Sequence, residues 1–313
     1  MNHITTSVVA ETLPNEQEVA RRFTENGFVQ IDDVASLGEV QLIRQRLEEM
    51  WAAKTGFERG YQFDLVGDDD ENKALSFPQI IHPSSFAPEL LKTAFFARSQ
   101  QLAKDILGPN ARFFADHALL KPAEIGPETP WHQDEAFRDP AYDYKDLSIW
   151  LALQPTDDLN GCMKFMRGSH TWGLLPHRPL NGNEKIHAVE CIGDFDASGA
   201  VPCHLQTGGC TIHGGRTLHS AGPNRSSKPR AAWVLIFEVP PHLRASPKAG
   251  AGVSNMTARA EREMRWQRRG GAVTTLWRNF RRVNLRDPRD VAMFLKRAWN
   301  GALRVLGKRT EAS

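Results

Sequence analysis

No apolar run in this chain approaches the roughly 18–20 residues that span a bilayer. The opening segment, Met1 to Ala20, lacks the basic start and apolar stretch of a secretory signal. Cysteine is scarce: Cys162, Cys191, Cys203 and Cys210 are the only four, with no CxxC pair and no framework spacing. That excludes a disulfide scaffold and reads as free thiols in a reducing, cytoplasmic setting. Internal repeats and low-complexity tracts are also missing, so neither a solenoid nor a disordered linker protein is expected. What remains is ordinary globular material, 313 residues with 41% hydrophobic and 24% charged content, enough for one large domain with an appendage.

The net charge of +2 conceals an asymmetry. From Asn255 onward 15 Lys and Arg stand against 5 Asp and Glu, which leaves the preceding chain at −8. A division at 1–245 and 246–313 follows, with the second part a basic helical extension. Ala258 to Arg269 reads as an Arg-rich helix ended by Gly270-Gly271. A second helix is signalled by Asp287-Pro288-Arg289-Asp290, a cap followed by proline at the first helical position. Three roles are open for this extension: a solvated helix pair covering the acidic body, a peripheral contact with an anionic membrane, or docking to an acidic partner. Arginine-rich helices without a recognition motif do not indicate nucleic acid. Oligomeric state is not legible.

Along the body, Asn15 to Ala35 predicts a short helix, a break at Gly27 and an alternating strand Phe28-Val29-Gln30-Ile31. Leu37 to Trp51 has helical apolar spacing. Thr55 to Glu71 reads as a polar Gly/Asp-rich connection, and Ser84 to Leu107 as a helix stopped by Gly108-Pro109. From Ala111 to Pro240 the texture becomes short apolar strands between Gly, Pro, Asn and Asp, which signals a barrel, sandwich or jelly roll.

Within that region stands His132-Gln133-Asp134, answered downstream by His219 and then Arg230. Two imidazoles and one carboxylate are the set with which non-heme iron oxygenases hold Fe(II) on one face, leaving positions open opposite. In a strand, residues i and i+2 share a side, so His132 and Asp134 can reach one ion while Gln133 faces away. His213 is a rival to His219, at an even offset of six residues. Arg230 supplies a permanently charged planar fork, the natural partner of a carboxylate. A looser group, Cys203, His204, Cys210 and His213, lacks the spacing of a zinc site.

The motif series Leu120-Lys121-Pro122, Trp131-His132-Gln133-Asp134, Leu147 to Leu153, Asn160-Gly161-Cys162-Met163, Arg167-Gly168-Ser169-His170 and His213 to Asn224, with Arg230 after it, resembles the phytanoyl-CoA dioxygenase family of Fe(II)/2-oxoglutarate oxygenases. The resemblance runs from about Asn15 to Pro240 and does not reach the basic extension. It implies a mainly β protein with flanking helices, built on a double-stranded β-helix (jelly-roll, cupin-like) core. It implies that His132, Asp134 and His219 bind iron, and that Arg230, eleven residues after His219, holds the far carboxylate of 2-oxoglutarate. It further implies that Lys121 and Trp150 adjoin that co-substrate. Dioxygen is the oxidant in this family. Asp134 implies hydroxylation, or a related desaturation, epoxidation or ring closure, because relatives that halogenate lack this carboxylate. Arg167 stands where the family's Pro-Gly-Ser-His turn has proline.

Residues flanking the motifs, Gln133, Glu135, Phe137, Trp172 and Asn224, are candidates for contact with a small-molecule substrate; each is equally a packing, solvent-facing or turn residue by type. Two other classes stay open: a cupin-like metalloenzyme that does not use 2-oxoglutarate, and a non-catalytic binding protein on the same fold. Removal of residues 255–313 is expected to leave metal binding intact. A truncated chain that folds, by circular dichroism, yet fails to bind Fe(II) in an anaerobic titration would make the extension part of the site.

Overall fold

The computed structural model describes residues 16–67 and 74–244, together with positions 280, 291, 292, 294 and 295. Three helices and thirteen strands form its regular part. The helices are α1 (Glu16–Asn26), α2 (Leu37–Ala52) and α3 (Ala94–Leu107). The strands are β1 (Phe28–Ile31), β2 (Gln62–Asp64), β3 (Pro78–Ile81), β4 (Arg112–Lys121), β5 (Thr129–His132), β6 (Tyr142–Ala152), β7 (Met163–Met166), β8 (His177–Pro179), β9 (Val189–Cys191), β10 (Ala200–Cys203), β11 (Cys210–Gly214), β12 (His219–Ala221) and β13 (Arg230–Leu243).

Two antiparallel sheets face one another. The larger has seven strands in the order β1-β11-β6-β13-β4-β3-β2, the smaller four in the order β10-β7-β12-β5, and β8-β9 form a separate hairpin. This is the jelly roll the family resemblance implied, one of the three architectures the strand texture left open. Side-chain alternation splits the large sheet into two environments. One face of β6 and β13 carries Leu147, Ile149, Leu151, Trp233, Leu235 and Phe237, packed beneath the helices with Ile43, Leu47 and Phe95. The other carries Trp150, Ala152, Ala232 and Val234, which meet Met163, Phe165 and Ala221 of the small sheet.

The helices cover the outer face through defined caps. Ser36 and Glu39 close a reciprocal capping box at the start of α2, and the other oxygen of Glu39 accepts the backbone N–H of Phe95 at 2.7 Å, tying α2 to α3. The continuous helix expected over 84–107 is interrupted. The chain instead makes 3-10 turns at Pro83–Ser85 and Pro88–Lys92, and α3 begins only after Thr93. Pro88 has no N–H to give a helix, and the Thr93 hydroxyl accepts the N–H of Phe96 as a fresh cap. The connection expected over 55–71 likewise contains β2. Phe63 there is wholly buried, and the Asp64 carboxylate collects the N–H groups of Val66, Gly67, Ser76 and Phe77, so its polar texture is that of a closed turn.

Two sequence motifs meet directly. Gly161, at φ 82°, lies so close to the second turn that a Cβ would stand 2.2 Å from the Gly222 carbonyl oxygen, so only glycine fits. Of the basic extension, positions 280, 291, 292, 294 and 295 are helical, with Phe280 set edge-on to Phe294. The Arg-rich helix expected over 258–269 lies outside the described residues. Among the described residues no helix is long and apolar enough to cross a membrane. Leu235→Ala, a wholly buried position beneath α3, is expected to cost about 2–5 kcal/mol in urea denaturation; a loss under about 1 kcal/mol would show that this face is not the packed core.

Candidate metal and carboxylate site

Antiparallel pairing of β5 with β12 sets His132 opposite His219, with ring centroids 4.2 Å apart. The two rings are fixed in the same way. Each Nδ1 lies 2.8 Å from a carbonyl oxygen two residues earlier, Pro130 for His132 and Thr217 for His219. That bond places the ring proton on Nδ1 and leaves Nε2 as a lone pair, the tautomer a metal ligand requires.

Asp134 does not continue the strand as the i, i+2 argument assumed. β5 stops at His132, Gln133 is extended, and Asp134 opens a 3-10 turn, Asp134–Phe137. The carboxylate nevertheless arrives beside the rings, with Oδ1 3.5 Å from His132 Nε2 and 3.6 Å from His219 Nε2. Ligating atoms of His132, Asp134 and His219 all lie within 4.8 Å of one another. Burial works against the charge on Asp134, but His219, His132 and His213 around it hold the carboxyl well below its ordinary range. Burial, and after it the neighbouring rings of His132 and His213, hold His219 well below the usual imidazole range. All of this keeps His219 and Asp134 in the protonation states that bind a cation.

His213 and His219 do not share one strand. β11 ends at Gly214 and β12 starts at His219, in different sheets. His213 still approaches the cluster from the large sheet, its Nε2 3.4 Å from Asp134 Oδ2. The strand carrying His219 is pinned from several sides: Ser169 Oγ accepts the N–H of Leu218 at 2.8 Å, and Thr217 Oγ1 donates to the Gly27 carbonyl at 2.6 Å. The Gly168-Ser169-His170 turn therefore braces the residues that lead into His219.

From Ser148, which donates to Asp134 Oδ2 at 3.0 Å, the inward face of β6 runs through Trp150 to Ala152. Near its far end lies Arg230, 1% exposed, with Nε and Nη1 buried and lacking any hydrogen-bond partner. Its guanidinium stands 5.3 Å from the Trp150 ring centre, and the indole N–H of Trp150 is likewise buried and unsatisfied. Burial pulls Arg230 down to about 10, so it is still charged at neutral pH. An unpaired buried cation costs several kcal/mol. Such a group is retained where a carboxylate of a ligand completes it. Lys121 sits opposite Arg230 in the β4–β13 register and is wholly buried. Its amine donates to the carbonyls of Ala221 and Gly222, joining β4 to β12; burial, and then Arg230, hold it well below the usual lysine range.

The flanking candidates divide. Phe137 borders the triad, 6.4 Å from the His132 ring and stacked on His187 at 5.6 Å, while His187 meets Phe63 edge-on. Gln133 is wholly buried and its amide is fully engaged with Gly173, Arg216 and Leu175. Glu135, also buried, accepts from Arg216 and Arg244. Asn224 Nδ2 donates to the carbonyls of Lys121, Pro122 and Lys228. The polar atoms of these three engage protein groups distant in sequence, as packing and turn residues do. Trp172 is 46% exposed, after the 169–171 turn.

Several site residues carried no signal in the sequence. Ser148 and Thr211 are small hydroxyl residues within β6 and β11, and the Thr211 hydroxyl is a buried orphan beside Trp150. His117 is a half-buried imidazole on the inward face of β4, level with Val234; burial pushes it down to about 4, against the raising effect of Asp134. Its even offset from Lys121 was the available clue. A second metal-capable group among the described residues, Asp158, Cys162 and His204, differs in character. Asp158 is already bound by Lys164 at 3.0 Å and His204 at 2.9 Å, and burial pushes the Cys162 thiol up to about 11. The four-residue group around Cys203 and Cys210 does not assemble; both thiols are buried, in β10 of one sheet and β11 of the other.

Known proteins resemble this chain in sequence and fold. EvdO2 from Micromonospora carbonacea var. aurantiaca, solved in complex with 2-oxoglutarate, is 33% identical, with a TM-score of 0.64 over 74% of this chain and 94% of its own. The epimerase SnoN of nogalamycin biosynthesis shares the fold at 24% identity, TM-score 0.56, over 75% of this chain and 87% of its own. A probable alpha-ketoglutarate-dependent hypophosphite dioxygenase of Stutzerimonas stutzeri is 27% identical over 225 residues, 70% of this chain and 77% of that one. The profile of the phytanoyl-CoA dioxygenase (PhyH) family matches residues 23–232. The chain belongs to the phytanoyl-CoA dioxygenase family, whose members are Fe(II)/2-oxoglutarate-dependent oxygenases.

His117 and His177 are both lowered from 6.5 to about 4, chiefly by burial, which disfavours the imidazolium. Both rings are expected to stay neutral at pH 5.5 in the metal-free protein, with titration only as pH falls toward 4. Histidine ring NMR shifts checked against His117→Gln and His177→Gln read this directly, and a charged ring at pH 5.5 would contradict the burial.

Proposed function

We propose that this chain is an Fe(II)- and 2-oxoglutarate-dependent dioxygenase that hydroxylates an unactivated C–H of a small-molecule, biosynthetic substrate. The observation that carries the reading is the pairing of two features in one β-lined interior. A His132, Asp134 and His219 cluster lies at one end. A buried guanidinium without a counter-ion, Arg230, lies toward the other. A metal alone explains only the first. A ligand that chelates the metal through one end and carries a carboxylate at the other accounts for both, and 2-oxoglutarate has that form.

His132 Nε2, Asp134 Oδ1 and His219 Nε2 would hold the iron. Arg230, with the Trp150 indole against it, would bind the distal carboxylate. Lys121 supports this end by holding β12 to β4. Ferrous iron bound there supplies the activation of dioxygen, coupled to decarboxylation of 2-oxoglutarate to succinate and CO2 with the second oxygen atom delivered to the substrate. The protein's own contribution is placement and exclusion of water. Phe137, His187 and Phe63 form an aromatic wall beside His132, and His117 presents a neutral imidazole from β4, so the substrate is bounded by apolar surface and uncharged donors.

Anaerobic visible absorption tests the reading. A charge-transfer band that requires both Fe(II) and 2-oxoglutarate, and vanishes in His219→Ala, is the expected result. Arg230→Ala is expected to keep iron binding and weaken 2-oxoglutarate roughly 10–100-fold, the loss of one charge-assisted contact worth about 1.5–3 kcal/mol. Iron binding without a band, and indifference to Arg230→Ala, would indicate a metalloenzyme that does not use 2-oxoglutarate. Absence of iron binding would remove the enzymatic reading.

A further inference from the structure

The two oxygens of Asp134 have different neighbours. Oδ1 faces His132 Nε2 at 3.5 Å and His219 Nε2 at 3.6 Å. Oδ2 faces Ser148 Oγ at 3.0 Å and His213 Nε2 at 3.4 Å. The backbone does not enforce this division, because Asp134 opens a turn instead of standing in a strand, and its side chain is 32% exposed. A carboxylate in that setting is free to rotate unless something grips one oxygen.

We propose that His213 is a positioning residue of the metal centre: it donates its Nε2–H to Oδ2 of Asp134, alongside Ser148, and so reserves Oδ1 for the ion. This rests on the metal-binding reading of His132, Asp134 and His219. Three observations support it. His213 is 2% exposed, and its ring lies between Phe165, at 5.2 Å, and His219, at 4.4 Å, on a strand flanked by β1 and β6. It is therefore a rigid donor. Its Nδ1 is buried without a partner, which selects the tautomer. A carboxylate oxygen can only accept, so the proton belongs on Nε2. The nitrogen left unsatisfied is then a bare lone pair instead of an orphaned N–H. Finally, the ligating set whose atoms all lie within 4.8 Å of one another comprises His132, Asp134 and His219, without His213.

The arrangement has a consequence for the fold. His132 and His219 belong to the small sheet, whereas His213 and Ser148 belong to the large one. Asp134 is thus the point at which both sheets grip the centre, and His213 carries the large sheet's share. Partners of this kind hold ligand orientation and are worth about 10–100-fold in metal affinity.

The test is anaerobic titration of the full-length metal-free protein with Fe(II), and separately with Co(II), across a double-mutant cycle. His213→Phe keeps ring volume and removes the donor; about 10–100-fold weaker binding is expected. In an Asp134→Ala background the same change is expected to add nothing, since its effect passes through the carboxylate. His213→Gln, whose amide can donate, is expected to recover part of the loss. His213→Leu gives the same reading should the Phe variant not fold, as judged by near-UV circular dichroism. Wild-type affinity in His213→Phe would overturn the proposal. So would a full additional loss in the Asp134→Ala background, which would make His213 a ligand in its own right. If His219→Ala and Asp134→Ala both bind metal as the wild type does, the metal-site reading itself fails, an outcome distinct from failure of His213 alone.

Discussion

Everything at the site depends on one rung of antiparallel pairing, His132 opposite His219 across β5 and β12. Neither strand is long; β5 has four residues and β12 three. Strands this short have little pairing energy of their own, so the rung is held by contacts from outside it. Ser169 and Thr217 fix the approach to His219, and Lys121 grips the carbonyls of Ala221 and Gly222 on the other side. Gly161 allows the neighbouring turn to close on Gly222. The motifs scattered along the sequence thus have a common mechanical purpose. Most of them hold a three-residue strand in register, and that register decides whether two imidazoles face one another.

Electrostatic arrangement follows a similar economy. Buried carboxylates are compensated within the protein: Glu135 by Arg216 and Arg244, Asp146 by Arg138, and Glu238 by Arg112 and Arg138. Arg230, by contrast, is a buried cation whose Nε and Nη1 have no protein acceptor. A protein that pairs these buried carboxylates yet leaves a buried guanidinium incomplete has a site shaped for an anion supplied from outside. The same contrast separates the two clusters of potential metal ligands. At Asp158 the carboxylate is neutralised by Lys164 and His204, whereas Asp134 Oδ1 faces His132 and His219, whose Nε2 atoms are left available by their own backbone bonds.

A strand-rich body between Ala111 and Pro240, the helices and the residue types of the His132, Asp134, His219 and Arg230 constellation were legible locally, while the choice of jelly roll over barrel or sandwich rested on the family resemblance of the motifs in order. What escaped the reading has a physical pattern. The break before α3 came from Pro88 and the Thr93 cap, which interrupt a stretch whose apolar spacing alone looks continuous. β2 was hidden because an edge strand of three residues has no periodicity to detect. Gln133, Glu135 and Asn224 lie next to the motifs in sequence, but their polar atoms are spent on Gly173, Arg216, Arg244 and Lys228, partners that only folding brings near.

The sequence by itself determined which chemical groups this protein has available and roughly how far apart along the chain they stand, because strand alternation and turn residues are local properties of the backbone. Tertiary structure alone decided their use. It set His213 on a different sheet from His219 and aimed it at the second oxygen of Asp134; it brought Ser148 to the same carboxylate; and it left Arg230 and Trp150 buried without partners. Those outcomes depend on which side chains meet across two sheets, and contact between residues remote in the chain is a property of packing that no local pattern encodes.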